Sequence, residues 1–191
     1  MNKSPLVLVL DFGTQSLRAS LTNDKGDIEN LVKFKYNPPY YSDSYGYAEQ
    51  DPDYYWEGAL SALTDLCKEA KDKLDRIVGA SITTFRDTSV QLGQDLKPIR
   101  RSILWLDQRL AKGKEKLPSL HWAIFSLIGM KPTIVLNRAR TVAHWLKENE
   151  PETWNKTYKY VNISTYLTYK LTNNLVDSAS SFVGHFITNS A

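Results

Sequence analysis

The order of the first elements constrains the fold more than any other feature of this sequence. The run "PLVLVLDF" is followed by a short break and then by a second apolar run, Leu17 to Leu21. The turn "NDKG" leads into a third run, Ile28 to Tyr36. Apolar runs separated by such turn residues are typical of antiparallel strands joined by hairpins. The sequence therefore predicts three antiparallel strands at the N-terminus.

A long helix is predicted after a loop rich in tyrosine and proline. The pair Asp51-Pro52 is a typical helix start, with a capping carboxylate followed by proline in the first turn. Apolar residues then recur at helical spacing, at Trp56, Leu60, Leu63, Cys67, Ala70 and Leu74. This stripe is expected to face the core, which would make Cys67 a buried structural thiol.

The remainder of the chain alternates strand-like and helical patterns. The run "RIVGASITT" predicts a buried strand, and "TSVQLGQDLKPI" predicts a strand followed by a turn. A short strand and a further helix are predicted in the tail, from "YKYVN" onward. Helices are predicted at Trp105–Lys116, His121–Ile128 and Ala139–Asn149. Strands first and then alternating helices and strands indicate an α/β domain with a mixed sheet flanked by helices.

Composition excludes several classes of function. A net charge of +3 is too small to indicate nucleic-acid binding. The apolar run Leu6–Leu10 is too short for a signal peptide, and no stretch approaches membrane-spanning length, so a cytoplasmic protein without a membrane partner is expected. One cysteine and three histidines without ligand spacing argue against a metal held by those residues.

The turn that begins at Asp11-Phe12-Gly13 raises the question of phosphate binding. It is not the magnesium loop of a protein kinase, because only ten residues precede Asp11 and the earlier kinase motifs have no room. No Walker loop occurs either. An aspartate that ends a strand before a Gly-Thr turn can hold hydrated Mg²⁺ while backbone N–H groups wrap phosphate oxygens. A plain hairpin with a capping aspartate accounts for the same residues equally well.

Four stretches in one order carry a family resemblance. They are "DFGTQSLRASL", "GYAEQDPDYYWEGALSAL", "ITTFRDTSVQLGQDLKPIRRSILWLDQR" and "HWLKENEPETWNKTYKYVNISTYLTYKLTNNLVDSASS". Together they resemble the N-terminal domain of the FGGY family of carbohydrate kinases, over nearly the whole chain. The resemblance implies a ribonuclease-H-like domain of the actin-like ATPase superfamily. In that fold two domains face each other across a cleft, with sugar bound mainly by the first and nucleotide mainly by the second.

The resemblance also assigns roles to residues. Asp11 would be catalytic, orienting Mg²⁺ through water beside the phosphates of ATP. The phosphate turn would consist of Gly13, Thr14, Gln15 and Ser16, with Arg18 as a phosphate contact or as a brace for the hairpin. Arg86 and Asp87 would bind substrate hydroxyls as donor and acceptor, although a surface ion pair explains them too. Asn137 aligns near a residue that lines the substrate pocket. Asp107 and Arg109 match a stretch near the cleft, or form the capping ion pair of a helix start.

The implied function is ATP-dependent phosphorylation of a sugar or polyol hydroxyl, with ATP and Mg²⁺ as cofactors. Residues 1–191 are expected to form the sugar-binding domain, incomplete at its C-terminal end, with the general base and the second, nucleotide-binding domain lying outside the chain. The chain alone is therefore expected to be inactive, and uncovered apolar surface would favour a homodimer. Two alternatives remain: another actin-like ATPase, such as a chaperone or cell-shape protein, which should not bind polyols, and a non-catalytic sugar-binding or regulatory module, which should show no nucleotide effect.

Overall fold

The computed structural model describes residues 4–112, 119–178 and 181. Its strands are β1 (Leu6–Phe12), β2 (Ser16–Asn23), β3 (Ile28–Lys35), β4 (Glu49–Gln50), β5 (Ile77–Thr84), β6 (Ser89–Leu92), β7 (Ser102–Ile103) and β8 (Lys159–Asn162). Its α-helices are α1 (Pro52–Glu69), α2 (Ser119–Leu127), α3 (Lys131–Arg140), α4 (Val142–Asn149), α5 (Pro151–Lys156) and α6 (Ile163–Thr172). A 3-10 helix, Lys71–Arg76, connects α1 to β5.

The main sheet has the strand order β3-β2-β1-β5. β1, β2 and β3 are antiparallel neighbours, whereas β5 runs parallel to β1. The helix α1 lies in the crossover between the two parallel strands, as a parallel connection requires. The predictions of three antiparallel N-terminal strands and of a mixed sheet are therefore confirmed.

The helix α1 begins as predicted, but it packs through a different face. The carboxylate of Asp51 accepts a hydrogen bond from the N–H of Asp53 at 2.9 Å and caps the helix. The buried residues of α1 are Pro52, Tyr55, Gly58, Ala59, Ala62 and Leu66. Leu60 is 47% exposed and Cys67 is exposed, so the predicted buried thiol is wrong. The predicted stripe is confirmed only in part, because Ala70 is buried and Trp56 and Leu63 pack against the core. The small residues at Gly58, Ala59 and Ala62 let the helix lie close against the sheet, and the larger Tyr55 and Leu66 are buried beside them.

The strand β5 exists as predicted, but it is not buried. Val78, its second residue, is 71% exposed, and the three residues after it are exposed as well. Within the part of the chain that the structure describes, β5 is hydrogen-bonded to β1 alone and is the outer strand of the sheet. A continuous apolar run indicates a buried strand only when a neighbour covers both of its sides.

A second group of short strands lies beyond β5. β6 pairs with β8, β4 pairs with β7, and all four residues of β6 are buried. The predicted strand and helix of the tail are β8 and α6. These elements place the segment between β5 and β6 against the start of α6, where the N–H of Ile163 donates to the carbonyl of Thr88 at 3.0 Å.

The helices between β7 and β8 agree only partly with the predictions. α2 and α4 confirm the predicted helices at His121–Ile128 and Ala139–Asn149, except that the second begins at Val142. α3 was not predicted, because none of its residues is buried and it shows no apolar stripe. The predicted helix at Trp105–Lys116 is wrong over residues 105–112, which form turns and irregular chain; residues 113–116 lie outside the described residues.

Candidate functional site

The turn between β1 and β2 is tight at Gly13, where a side chain would be crowded. The N–H of Gly13 donates to the carbonyl oxygen of Ser16 at 3.0 Å, and a Cβ atom at Gly13 would lie 3.0 Å from that same oxygen. The amide of Gly13 is therefore used within the turn itself. Thr14 and Gln15 form the tip, where Gln15 is exposed, and Ser16 is buried as the first residue of β2.

Asp11 and Arg18 lie directly opposite each other on β1 and β2. An Nη atom of Arg18 lies 3.1 Å from a carboxylate oxygen of Asp11, and both side chains are partly exposed. An exposed ion pair of this kind contributes about 0.2–1 kcal/mol to stability. The Arg18 guanidinium thus connects the two strands and keeps a positive charge beside the carboxylate of Asp11.

The predicted phosphate turn and the predicted substrate pair meet in one cleft. β1 and β5 are parallel neighbours, with Phe12 opposite Thr84, so their carboxyl ends lie at the same edge of the sheet. The N–H of Phe85 donates to the carbonyl of Phe12 at 3.2 Å and extends this contact beyond the strands. Residues that follow parallel strands commonly form ligand sites at this edge. The cleft has a volume of about 360 Å³ and is lined by Asp11, Phe12, Gly13, Thr14, Thr84, Phe85, Arg86, Asp87 and Trp105.

Arg86 and Asp87 are exposed on the segment that follows β5. Asp87 has a φ of 59°, in the left-handed region that residues other than glycine rarely occupy. Aspartate tolerates this conformation better than most residues, and such backbone strain is frequent at ligand sites. Both residues line the cleft, where a guanidinium can supply N–H donors and a carboxylate can supply acceptors.

Trp105 is a member of the site that the sequence reasoning missed. Its side chain lines the cleft, is 57% exposed, and donates from Nε1 to Oγ1 of Thr14 at 2.9 Å. Its backbone N–H donates to Oγ1 of Thr88 at 3.2 Å. The signal in the sequence was a large aromatic residue directly after the buried run Ser102 to Leu104. A tryptophan exposed to this extent inside a concave site is well suited to contact a ligand.

Asp107 and Arg109 form a structural ion pair rather than part of the cleft. Their side chains are only 4% and 6% exposed, and two N–H groups of Arg109 donate to the Asp107 carboxylate at 2.8 and 2.7 Å. Glu49 lies 2.7 Å from Arg109, and the rings of Tyr47 and Trp145 flank the guanidinium at 4.0 and 4.5 Å. Burial lowers the pKa of Arg109, but the hydrogen bonds to its two carboxylate partners outweigh this and leave the pKa raised.

Other predicted residues lie outside the cleft lining. Gln15 in the turn and Ser16 and Arg18 on β2 do not line the cleft, and Asn137 is exposed on α3. The carbonyl of Asn137 accepts a hydrogen bond from the hydroxyl of Thr141 at 2.9 Å. The binding roles of these residues stay predictions.

A second cavity of about 590 Å³ lies on the other side of the Arg86-Asp87 segment and shares that segment with the cleft. Asp177 is held there at the start of α6. Its carboxylate accepts hydrogen bonds from the hydroxyls of Ser164, Thr165 and Ser181. These contacts satisfy the Asp177 carboxylate within the fold, and the cavity does not contain Asp11 or the phosphate turn.

The cleft could hold a magnesium ion through a single carboxylate, that of Asp11, with water and substrate phosphates as the other ligands. Among the described residues, no group of three or more His, Cys, Asp or Glu side chains is placed to hold a metal ion. Magnesium in phosphate-transfer sites is typically bound by one or two carboxylates, with water and substrate phosphates as the remaining ligands. Asp11, which is partly exposed in the cleft beside the turn, fits that role. Within the described part of the chain, no helix has both the length and the apolar character needed to cross a membrane.

Comparison with known proteins gives a consistent result. The model of the FGGY family of carbohydrate kinases, N-terminal domain, matches residues 6–189. A xylulose kinase of Staphylococcus xylosus is 27% identical over 93% of this chain and 36% of its own length, and glycerol kinase 2 of Saccharolobus solfataricus is 30% identical over 87% and 34%. The ligand-bound xylulose kinase of Lactobacillus acidophilus matches the fold with a TM-score of 0.70 at 22% identity, over 90% of this chain and 34% of that chain.

The chain thus spans about a third of the length of the relatives that it matches. The fold of its structural neighbours is the actin-like ATPase fold of sugar kinases, as the resemblance implied. The family match covers both the turn after β1 and the segment after β5, which form the two walls of the cleft. This chain belongs to the FGGY family of carbohydrate kinases, and it corresponds to the N-terminal domain of that family.

Proposed function

We propose that this chain supplies the acceptor-binding wall of a kinase that transfers a phosphoryl group from ATP to a hydroxyl of a sugar or polyol. The observation that carries the proposal is the cleft of about 360 Å³, in which Asp11 and the Gly13-Thr14 turn face Arg86, Asp87 and Trp105. A phosphoryl transfer needs a phosphate site and a hydroxyl site side by side. The domain assignment of residues 1–191 and a location in the cytoplasm, where ATP is available, belong to the same proposal.

Each residue of the cleft has a distinct role in this proposal. The guanidinium of Arg86 donates hydrogen bonds to hydroxyl oxygens of the polyol, and the carboxylate of Asp87 accepts hydrogen bonds from its hydroxyl groups. The pair thereby fixes the orientation of the polyol. The exposed face of Trp105 covers the carbon chain of the acceptor. The carboxylate of Asp11 would orient a hydrated magnesium ion beside the turn. The ion pair with Arg18 limits the movement of the Asp11 side chain.

ATP, when bound with Mg²⁺, would supply the phosphoryl group, and the metal would neutralise charge on the phosphates. The residues of this chain align the acceptor hydroxyl with that group and hold both partners in place. The matched relatives named for xylulose and for glycerol support a small polyhydroxylated acceptor. They do not select one of the two.

The experiment that tests the proposal is a thermal-shift titration of the 191-residue chain with a panel of polyols and ketoses that includes glycerol and xylulose. A ligand that binds the native state alone stabilises it by about 2.7 kcal/mol at a hundredfold excess over its Kd. We expect at least one compound to raise the Tm of the wild-type chain and to lose this effect in Arg86→Ala.

The matched control is Arg101→Ala, because Arg101 is a partly exposed arginine that pairs with Asp43 and lines neither cavity. The control should keep the full shift. The proposal is wrong if no compound shifts the wild-type Tm, or if the two arginine variants respond alike. If a sugar raised the Tm of the whole protein by the same amount with and without ATP and Mg²⁺, the non-catalytic module would be favoured instead.

A further inference from the structure

One hydrogen bond joins the two walls of the cleft. Nε1 of Trp105 donates to Oγ1 of Thr14 at 2.9 Å, across 91 positions of sequence. Thr14 lies at the tip of the turn between β1 and β2, on the phosphate side, whereas Trp105 follows β7 on the acceptor side. The bond therefore connects the part of the cleft assigned to phosphate with the part assigned to the acceptor.

This bond limits the direction in which the Thr14 hydroxyl can donate. A threonine hydroxyl has one proton and two lone pairs, and an indole N–H can only donate. Since Trp105 occupies a lone pair of Oγ1, the proton of that hydroxyl must point to another acceptor. Thr14 lines the cleft beside Asp11 and Gly13, so an anionic oxygen placed in the turn would be within the range of directions left to this proton.

The orientation of the Trp105 ring depends on the same bond. The backbone at Trp105 is fixed by the hydrogen bond to the buried side chain of Thr88, whose carbonyl in turn accepts from Ile163 at the start of α6. The main chain is thus held by a hydrogen bond, while Trp105 as a whole residue is 57% exposed. A bound acceptor that contacts the Trp105 ring would therefore restrict the geometry of its hydrogen bond to Thr14. A phosphate that contacts Thr14 would in turn restrict the orientation of the ring.

Resting on the function proposed above, we propose that Trp105 is a positioning residue for Thr14: its indole N–H sets the Thr14 hydroxyl as a donor to bound phosphate, and this bond couples acceptor binding to phosphate binding. The two ligands then strengthen each other's binding, because each stabilises the same orientation of the ring and the hydroxyl. Coupling between sites is reciprocal, so the factor must be equal in both directions.

The bond itself can be observed through the indole N–H resonances of the five tryptophans in a ¹⁵N-labelled chain. The resonance that is lost in Trp105→Phe identifies Trp105. We expect Thr14→Val to shift this resonance because its acceptor is removed, and Thr14→Ser to restore it. Inorganic pyrophosphate should move the resonance in the wild type and in Thr14→Ser, and should leave it in place in Thr14→Val.

The coupling is measured as the ratio of the Kd of the acceptor without and with saturating pyrophosphate. We expect a ratio of about fivefold for the wild type, as is typical of coupled sites, and a ratio near one for Trp105→Phe and Thr14→Val. The matched control is Trp154→Phe, because Trp154 packs on Tyr160 away from the cleft and its loss should leave the ratio unchanged. Equal Tm values for the variants and the wild type exclude a loss of fold as the cause.

Four results would overturn the inference, the last of them together with the proposed function. One is a Trp105 resonance that does not respond to Thr14→Val. A second is a coupling ratio that survives in Trp105→Phe. A third is an acceptor that binds normally with a ratio near one in the wild type, which would leave the proposed function intact. A wild-type chain that binds neither an acceptor nor pyrophosphate would overturn both the inference and the proposed function.

Discussion

Replacing Gly58 by alanine tests how closely α1 approaches the sheet. In the interior of a helix, glycine to alanine normally stabilises a protein by about 0.5–1 kcal/mol. At this position the added Cβ would lie 2.9 Å from Cδ1 of Phe34 and 3.0 Å from Cε1 of Tyr36. The preferred separation of two carbon atoms is about 3.5–4.0 Å. Both rings would therefore have to move by roughly half an ångström or more.

The rings have little room for this movement. Tyr36 is buried, and its ring centroid lies 5.0 Å from that of Tyr55 and 5.5 Å from that of Tyr54. Overpacking of a well-filled core costs about 1–3 kcal/mol. After the gain in helix propensity is subtracted, we expect Gly58→Ala to lower the free energy of unfolding by about 0.5–2 kcal/mol.

The assay is urea denaturation of the chain followed by far-UV circular dichroism at 25 °C. The matched control is Ser61→Ala, an exposed position on the same helix, which should gain a few tenths of a kcal/mol from helix propensity alone. The two substitutions should thus change stability in opposite directions. If Gly58→Ala stabilised the chain as much as the control does, the close approach of helix and sheet would be wrong.

Two further predictions concern buried polar groups. Arg109→Met should lower the free energy of unfolding by about 3–5 kcal/mol, because it removes the ion-pair partner of the buried Asp107 carboxylate. Glu49 keeps its ion pair with Arg100. Arg101→Met, at a solvent-exposed pair, should cost about 1 kcal/mol or less in the same urea assay, and equal losses would contradict the argument. Burial is the main cause that raises the pKa of Tyr36 above its ordinary value near 10, and the neighbouring Tyr55 and Tyr54 raise this pKa further. The neutral phenol of Tyr36 contributes its full stabilisation below pH 10, and this contribution is lost as the pH rises toward the folded-state pKa. Tyr36→Phe should therefore make the decline of Tm above pH 10 less steep. The control Tyr45→Phe, at an exposed tyrosine, should leave that decline unchanged.

The elements that the sequence predicted correctly are those whose signal is local. The strands β1 to β3 are apolar runs that end at turn residues, and the start of α1 is marked by Asp51-Pro52. The buried face of α1 could not be predicted in the same way. The predicted stripe followed mainly the large apolar residues, whereas the observed contact combines Tyr55 and Leu66 with the small residues Gly58, Ala59 and Ala62. Periodicity alone does not say how closely two elements pack.

The candidate site depends on contacts that no short stretch encodes. Asp11 and Arg86 belong to one cleft because β1 and β5 are parallel neighbours, and the resemblance to a family was the only sign of this in the sequence. In the sequence, Asp107 and Arg109 resemble a capping ion pair at the surface. In the structure the pair is buried, because the rings of Tyr47 and Trp145 cover the Arg109 guanidinium. Trp105 was overlooked because aromatic residues that follow an apolar run are more often part of the core.

The outward position of Cys67 bears on the oligomeric state of the chain. It is the sole cysteine of the sequence and is exposed on α1. Accessible thiols of two molecules can be oxidised to an intermolecular disulfide, which links the molecules without any complementary surface between them. The predicted homodimer is a non-covalent one, so it must persist in the presence of a reductant and in Cys67→Ser. A dimer that disappears under those conditions arises from oxidation of Cys67 and not from recognition between subunits.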